Sequence, residues 1–308
     1  MWSYQENSNC YIFQNSGYLY KFTPNKQNAT LEQVGITYGM PFSYKSVVKG
    51  DYIYATALWN DGTVGIIIWQ ANWIQENDPT GYATKSDSWS GSLFIMDNVF
   101  YLLANKAQGT LIQIELDDTT PGPADLWTIQ LKKEYSLTSS PKQDTSIVTL
   151  NNTVYYFNEQ GFCSAKISGD KAVNEQISSV SVTDETSKLV TDNNSRIWII
   201  NSTDGVVEYN TKKNTATTIA TLPTSRLSNR EPDFTKACFY SDNYLYLITA
   251  GKAYSLDVPQ QDDPDNPDDP DNPQKPHDQS GHRLLECGCL GIEFVLVLLS
   301  VFVLRRKH

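Results

Sequence analysis

Histidine is nearly absent from this chain, and its absence excludes several kinds of active site. The 308 residues include three histidines, and all of them stand near the end: His277, His282 and His308. A Ser-His-Asp triad, a Cys-His pair or a histidine-ligated metal therefore cannot be assembled within residues 1–261. Carboxylates are the only remaining candidates for catalysis there. We identify no catalytic residue, no metal ligand and no cofactor site in the sequence.

Cysteine and positive charge are also in short supply. Cys10, Cys163 and Cys238 lie in apolar runs, where a free cysteine is usually a small buried hydrophobic residue. The five cysteines follow no zinc-ligand or disulfide spacing. The formal net charge of −11 repels phosphate backbones, so we expect no nucleic-acid partner. An amphipathic helix of ordinary length is also missing from residues 1–258.

Aromatic residues, in contrast, are plentiful and recur in a pattern. The chain has 18 Tyr, 11 Phe and 7 Trp residues. Six short segments place an aromatic residue between apolar ones, and the central residues are Tyr11, Tyr54, Tyr101, Tyr155, Trp198 and Tyr246. A turn cluster rich in Asn, Asp or Gly precedes each segment, and a glycine follows it. The spacing of 43 to 54 residues is typical of β-propeller blades.

One unit shows the repeat clearly. Residues 187–222 predict four strands at Lys188–Val190, Arg196–Asn201, Gly205–Tyr209 and Thr217–Leu222. Asp61-Gly62 and Asp204-Gly205 are the strongest hairpin signals. We therefore predict an all-β fold, a β-propeller of about six four-stranded blades over residues 1–258. A β-sandwich is the alternative, but a sandwich does not require the same four-strand unit six times.

A resemblance to known repeats supports this fold. Trp198-Ile199-Ile200 followed by Asp204-Gly205-Val206-Val207-Glu208-Tyr209-Asn210 resembles bacterial propeller repeats of the PQQ-like, Kelch-like and two-component-regulator type. The resemblance extends over most of residues 1–258. It implies a fold and not an activity, because propellers host binding, scaffolding and catalysis alike.

The two ends of the repeat region carry further expectations. Trp2–Gln5 is predicted as the first strand, and the last repeat reaches Val258 without a fourth strand. Propellers often close by taking one strand of a sheet from the other end of the chain. We therefore hypothesise that sequence upstream of Met1 holds a secretion signal and can supply the closing strand.

The region after the repeats divides into a spacer and a tail. Residues 259–282 are predicted to form a disordered, extended Asp/Pro-rich spacer, because prolines block hydrogen bonding and like charges repel. Calcium binding by its carboxylates is the alternative, but the EF-hand glycine and distal glutamate are missing. Residues 283–308 carry three features in order. The first is a motif of small residues at Cys287, Gly288 and Cys289. The second is an apolar run from Ile292 through Phe294 to Leu304, and the third is a basic end at Arg305, Arg306 and Lys307.

This tail predicts a membrane helix. The stretch from Cys287 to Leu304 is close to the roughly 20 residues that span a bilayer, and basic residues after it favour the cytoplasmic side. The form resembles bacterial C-terminal sorting signals of the GlyGly, Myxo and Synergist type. That resemblance implies a membrane sorting protease that cuts near Cys287, Gly288 and Cys289, followed by transfer to the cell surface. A permanent single-pass anchor and a buried core helix are the alternatives.

These features lead to one functional hypothesis and two alternatives. The hypothesis is a non-enzymatic protein of the cell surface or outer envelope whose extracytoplasmic propeller binds a protein or a polysaccharide. Trp59, Trp73, Trp89 and Tyr82 are candidate binding residues, because exposed aromatic side chains stack on sugars or anchor proteins. The alternatives are a carboxylate-based surface glycosidase or polysaccharide lyase, and a sensor ectodomain.

Overall fold

The computed structural model describes most of the repeat region and one short segment beyond it. The described residues are 2–6, 9–13, 18–24, 30–36, 43–50, 52–58, 64–70, 81–85, 91–104, 109–117, 126–142, 145–182, 187–201, 204–222, 237–248, 253–258 and 284–287. Within these ranges the chain forms strands and turns only. No helix in them is long and apolar enough to cross a membrane. The predicted C-terminal helix lies outside the described residues.

The strands follow one another as antiparallel meanders. The first sheet has the order β1-β2-β3-β4, with bounds Trp2–Glu6, Asn9–Phe13, Tyr18–Thr23 and Thr30–Ile36. Three further four-stranded sheets are β13 to β16, at Val148–Leu150, Thr153–Asn158, Gly161–Ser168 and Lys171–Gln176; β17 to β20, at Lys188–Thr191, Arg196–Asn201, Gly205–Asn210 and Thr215–Ala220; and β21 to β24, at Ala237–Ser241, Tyr244–Ile248, Ala253–Asp257 and Leu284–Cys287.

The remaining strands form one sheet of eight. Its members are β5 to β8, at Ser43–Lys49, Tyr52–Leu58, Val64–Gln70 and Gly81–Lys85, and β9 to β12, at Gly91–Met96, Val99–Ala104, Thr110–Asp117 and Leu126–Ser136. Two four-stranded meanders meet where β8 pairs in parallel with the first residues of β12. The sequence repeat does not predict this pairing, because it identifies meanders and says nothing about contacts between their outer strands.

The predicted repeat is confirmed by the position of the aromatic residues. Tyr11, Tyr54, Tyr101, Tyr155, Trp198 and Tyr246 are each the third residue of the second strand in their meander. Each one is paired in register with a residue of the first strand, as Tyr101 is with Phe94 and Tyr246 is with Phe239. The meanders are therefore copies of one sheet unit.

The strands and turns of residues 187–222 also agree with prediction. The observed bounds of Arg196–Asn201 equal the predicted ones, and the bounds of the other three strands differ by at most two residues. Gly205 adopts φ 82, and a Cβ atom added there would lie 2.2 Å from the carbonyl oxygen of Ala220. Only glycine fits such a close approach, which is why Asp204-Gly205 is a reliable hairpin signal. Asp61-Gly62 lies outside the described residues.

The sheets are arranged as a propeller-like ring. The first strands of successive meanders contact one another in the order β1, β5, β9, β13, β17, β21, and β21 contacts β1 again. Apolar side chains fill the spaces between neighbouring sheets; for example, buried Trp198 and Leu247 share one cluster. At the closing point the ring of Phe22 stacks on Phe239 at 5.5 Å and meets the edge of Tyr246 at 5.7 Å.

The last sheet corrects one expectation from the sequence. Its fourth strand, β24, comes from Leu284–Cys287 and pairs antiparallel with β23, so that Leu284 lies opposite Leu256 and Cys287 opposite Ala253. The prediction that this sheet lacks a fourth strand at the end of the repeats was wrong. The strand was missed because 26 residues, including the Asp/Pro repeats, separate it from β23. Cys287, a predicted processing residue, thus belongs to the last sheet.

Candidate binding face at the hairpin tips

The described turns between the first and second strands of the meanders lie at one end of the ring. We call the described turns Asp97–Asn98, Asn151–Asn152, Asp192–Ser195 and Asp242–Asn243 the hairpin tips, and the surface that they share the hairpin-tip face. They lie around the central axis because the first strands, which contact one another, run into them. The sequence predicted each of these turns from its Asn and Asp residues.

Three hairpin tips have the same backbone conformation. Both residues of each tip have positive φ: 50 and 63 for Asp97 and Asn98, 51 and 58 for Asn151 and Asn152, and 50 and 65 for Asp242 and Asn243. Two successive positive φ values define a type I′ turn, which Asn and Asp tolerate better than other residues with side chains. A two-residue turn of this kind holds its side chains on a short, rigid support.

Eight residues of the hairpin tips are exposed, and all of them are asparagine or aspartate. They are Asp97, Asn98, Asn151, Asn152, Asn193, Asn194, Asp242 and Asn243. Glycine satisfies the positive φ equally well, so the backbone does not require these amides and carboxylates. They give the hairpin-tip face a dense set of hydrogen-bond donors and acceptors, with two negative charges in the type I′ tips.

Neighbouring tips are joined by hydrogen bonds. Lys49 Nζ, at the end of β5, donates to the carbonyl oxygen of Asn98 at 2.8 Å. Asn151 Nδ2 donates to the carbonyl oxygen of Asn194 at 3.3 Å. Within a single tip, Asn243 Oδ1 accepts a hydrogen bond from the Tyr240 hydroxyl at 3.2 Å. The first two bonds link neighbouring meanders at this end of the ring.

The fourth tip is different, because its carboxylate is buried in an ion pair. Asp192 Oδ1 accepts hydrogen bonds from the backbone N–H groups of Asn194, Ser195 and Arg196 at 2.9, 2.9 and 3.0 Å. Arg196 Nε donates to Asp192 Oδ2 at 2.9 Å, and the side chains of the pair are only 4% and 8% exposed. Burial alone would raise the pKa of Asp192, but the hydrogen bonds from Arg196, Asn194 and Ser195 outweigh it and hold that pKa below its usual value.

The guanidinium of Arg196 connects two sheets. It lies 4.9 Å from the ring centroid of Trp198, and its Nη1 donates to the carbonyl oxygen of Val258 in the next sheet at 3.4 Å. Trp198 Nε1 donates to Glu208 at 3.0 Å, and its ring stacks on Tyr240 at 4.9 Å. We call Asp192, Arg196, Trp198, Glu208 and Tyr240 the inter-sheet clasp. Sequence reasoning missed it because an aspartate in a turn cluster is expected for backbone reasons alone; the Asp-x-x-x-Arg spacing is the available signal.

Most of the other predicted site residues lie outside the described part of the chain. Trp59, Trp73 and Trp89 lie outside the described residues, as do Gly288, Cys289, Ile292, Phe294, Leu304, Arg305, Arg306 and Lys307. Tyr82 lies in β8, paired with Ile67 of β7 and with Leu126 of β12. The roles predicted for these residues stay predictions.

The buried cysteines behave as the sequence predicted. Cys163 and Cys238 are buried thiols. Burial raises the pKa of the Cys163 thiol to about 12, so this thiol is not a nucleophile at neutral pH. The described residues include no group of three or more His, Cys, Asp or Glu side chains that could hold a metal ion.

Comparisons with known proteins identify a fold without a family. No family model matches the chain, and no curated protein matches it. Among solved structures, a "putative 6-phosphogluconolactonase" from Bacteroides fragilis is 11% identical, with 92% of this chain and 82% of the other covered and a TM-score of 0.51. At this identity the similarity shows the β-propeller fold alone.

Two other solved structures are similar at lower scores. BamB from Moraxella catarrhalis is 15% identical, with 84% of this chain and 71% of the other covered and a TM-score of 0.35. A protein of unknown function from Bacteroides thetaiotaomicron is 11% identical, with 75% and 64% covered and a TM-score of 0.49.

Proposed function

We propose that this chain is a six-bladed β-propeller of the cell envelope whose hairpin-tip face binds a neutral polysaccharide without transforming it. The observation that carries the proposal is the ring of exposed amide and carboxylate side chains on rigid type I′ turns. The six blades correspond to the six first strands that contact one another in sequence. The eight-stranded sheet is then two blades joined at their outer strands.

The chemistry of the face favours a sugar over a protein. Amides and carboxylates donate to and accept from hydroxyl groups in pairs, as vicinal sugar hydroxyls require. Protein interfaces, by contrast, are centred on aromatic and other apolar anchors. None of the exposed residues of the described hairpin tips is apolar. The net charge of −11 further favours a neutral ligand over an anionic one.

The direction of β24 is consistent with a face that points away from a membrane. β23 ends beside a hairpin tip, where the Val258 N–H donates to the carbonyl oxygen of Asn243 at 2.8 Å. β24 runs antiparallel to β23, so Cys287 lies at the end of the sheet opposite the hairpin tips. A membrane segment at Ile292–Leu304 with Arg305, Arg306 and Lys307 beyond it would therefore hold the other face toward the bilayer.

This geometry refines the predicted division of the tail. We keep residues 1–258 as the main body of the propeller, 259–282 as the acidic segment and 283–308 as the sorting or anchor region, with β24 returning to the last blade. A sorting protease acting near Cys287, Gly288 and Cys289 would cut at or just beyond a strand of that blade. Localisation at the cell surface remains part of the proposal.

The described aspartates Asp97, Asp192, Asp204 and Asp242 do not support the enzymatic alternative. Asp97 and Asp242 occupy type I′ turns, Asp204 accepts a hydrogen bond from Asn201 at 3.0 Å, and Asp192 is paired with Arg196. A glycosidase needs two carboxyl groups that face each other across a bound sugar. We therefore give a surface glycosidase or a lyase no part in the proposal.

The test removes the amides and keeps the turns. Asn98→Gly, Asn152→Gly and Asn243→Gly, combined in one variant, leave Asp-Gly, Asn-Gly and Asp-Gly pairs, which are favoured type I′ sequences. Electrophoresis through gels that contain dextran, mannan or laminarin measures binding. We expect the unaltered protein to be retarded by at least one polymer, and the variant to bind it at least about tenfold more weakly with an unchanged melting temperature.

A matched variant controls for the loss of an asparagine. Asn214 also has positive φ, at 51, but lies in the turn between β19 and β20, away from the central axis. We expect Asn214→Gly to bind as the unaltered protein does. Failure of the unaltered protein to bind any of the three polymers would reject a neutral-polysaccharide ligand. Equal binding by the triple glycine variant would place the ligand elsewhere.

A further inference from the structure

The outer strand β16 differs from three other outer strands of the ring. β4, β12 and β20 each contain an irregularity in their pairing, at Leu19/Tyr20, Gln113/Ile114 and Val206/Val207 of the partner strands. β16 pairs with β15 over six consecutive residues without such a shift. Bulges twist an edge away from further pairing, so a regular outer strand is the better template for another strand.

The exposed side chains of β16 are arranged in a symmetric order. Lys171, Val173 and Glu175 alternate along the strand on one side of the sheet, and all three are exposed. Val173 is 58% exposed and is the large apolar side chain that stands out as exposed in the described part of the chain. The alternate residues lie on the other side of the sheet: Asn174 Nδ2 donates to the Tyr156 hydroxyl at 2.7 Å, and Gln176, which is also exposed, donates from Nε2 to the carbonyl oxygen of Phe162 at 2.9 Å.

We propose that β16 is a self-association edge, through which two copies of this chain pair antiparallel about a two-fold axis at Val173. In that register Val173 lies beside Val173 of the second copy. Lys171 lies opposite Glu175 of the second copy, and Glu175 lies opposite its Lys171. The order basic, apolar, acidic is thus complementary to itself when reversed, as a two-fold contact requires. Opposite charges directly across an antiparallel pair stabilise it, and like charges destabilise it.

The partner that fits β16 is a second copy of this chain, because the charge pattern of the strand is complementary to itself. The overall charge of −11 disfavours association of copies through most surfaces. On β16 the described exposed face balances one lysine against one glutamate around an apolar centre. β20 offers no such pattern, because Thr215, Thr217 and Thr218 are its exposed residues. A short edge contact of this kind forms a weak dimer.

The geometry also sets the orientation of the two rings. Because the paired strands run in opposite directions, the hairpin-tip faces of the two copies point in opposite directions. If the proposed function holds, one dimer would present binding faces to two separate polysaccharide surfaces. The dimer itself does not depend on that function, and its test uses the protein without a sugar.

The test is the oligomeric state of single and double variants. Sedimentation velocity measured at protein concentrations that span about a hundredfold range should show a fraction of dimer that increases with concentration. We expect Val173→Lys to weaken association by at least about tenfold, because two ammonium groups then meet at the axis. Thr217→Lys on β20 makes the same change of charge on a neighbouring outer strand and should leave association unchanged.

Charge reversal distinguishes this register from a general edge effect. Lys171→Glu alone and Glu175→Lys alone each place like charges opposite each other and should weaken the dimer. The double variant Lys171→Glu with Glu175→Lys restores opposite charges and should restore association. A monomer at every concentration, an unchanged dimer in Val173→Lys, or a double variant as weak as the singles would each overturn the proposal. Circular dichroism melting verifies that each variant is folded.

Discussion

The hairpin tips occupy equivalent places in their sheets, yet one of them is built differently from three others. At Asp97–Asn98, Asn151–Asn152 and Asp242–Asn243 the side chains are exposed and the backbone alone forms the turn. At Asp192–Ser195 the aspartate is buried and belongs to the inter-sheet clasp. The comparison shows that the repeat determines where the turn lies, whereas the contacts of the turn's side chains differ between sheets.

The largest expected effect is a difference in stability between variants of Asp192 and of Asp242. Asp192→Asn leaves the buried Arg196 guanidinium with only the more distant carboxylate of Glu208, 3.7 Å away, so we expect a loss of about 2 kcal/mol in the free energy of unfolding. Asp242→Asn keeps a residue that tolerates positive φ at an exposed turn and should change stability by less than about 0.5 kcal/mol. Urea denaturation measures both. Equal effects of the two substitutions would mean that the clasp does not support the fold.

The dependence of stability on pH should show the contribution of the Asp192 carboxylate directly, without a comparison with Asp242. The pKa of Asp192 is lower in the folded chain than its ordinary value of 3.8, so its contribution is present above that value and is lost as pH falls through the folded pKa. The stability gap between the unaltered protein and Asp192→Asn should therefore be constant near neutral pH and shrink below pH of about 4. Urea midpoints over this range measure the gap, and a gap that widens in acid would contradict the assignment.

A smaller effect is expected from the type I′ tips. Asn152 has φ 58, which alanine adopts only with strain, so Asn152→Ala should cost about 1 kcal/mol. Asn152→Gly relieves that strain and should be close to neutral. Asn194→Ala, at an exposed position of the fourth tip, is the control and should change stability by less than about 0.5 kcal/mol. Thermal melting distinguishes these outcomes, and similar losses for Asn152→Ala and Asn152→Gly would show that the amide, not the backbone, stabilises the tip.

The smallest expected effect concerns the acidic segment. Its flanking residues Val258 and Leu284 belong to the same end of the last sheet, because Leu256 pairs with Leu284. Lengthening a loop between fixed ends costs little, about 0.6 kcal/mol for each doubling. Duplication of Asp263–Asp268 should therefore shift the melting temperature only slightly. A large loss would show that this segment contributes contacts to the fold.

The fold was predictable from sequence where the determinants are local. The aromatic residue at the third position of each second strand and the Asn or Asp residues before it both follow from strand and turn preferences, as Trp198 and Asn193-Asn194 illustrate. The order of strands inside a meander follows from short connections. These features needed no knowledge of distant residues.

Other features depended on distant residues and could not be predicted. The pairing of β8 with β12 joins residues 82 and 126 across two meanders, and β24 joins its sheet across the acidic segment. The clasp requires Arg196 and the carbonyl oxygen of Val258 to meet, although 62 positions separate them. The hairpin-tip face was visible in the sequence as a set of turns, but its role as one shared surface depends on the closed ring.

The closure of the ring has a consequence for how the chain can be cut and rejoined. Trp2 begins an innermost strand and Cys287 ends an outermost one, at the same end of two sheets that contact each other. Between β16 and β17, the chain makes the same kind of passage from an outer strand to the next inner strand with 11 residues. A linker of similar length from Cys287 to Trp2, with new termini opened between β16 and β17, should therefore give a circularly permuted protein with the same ring.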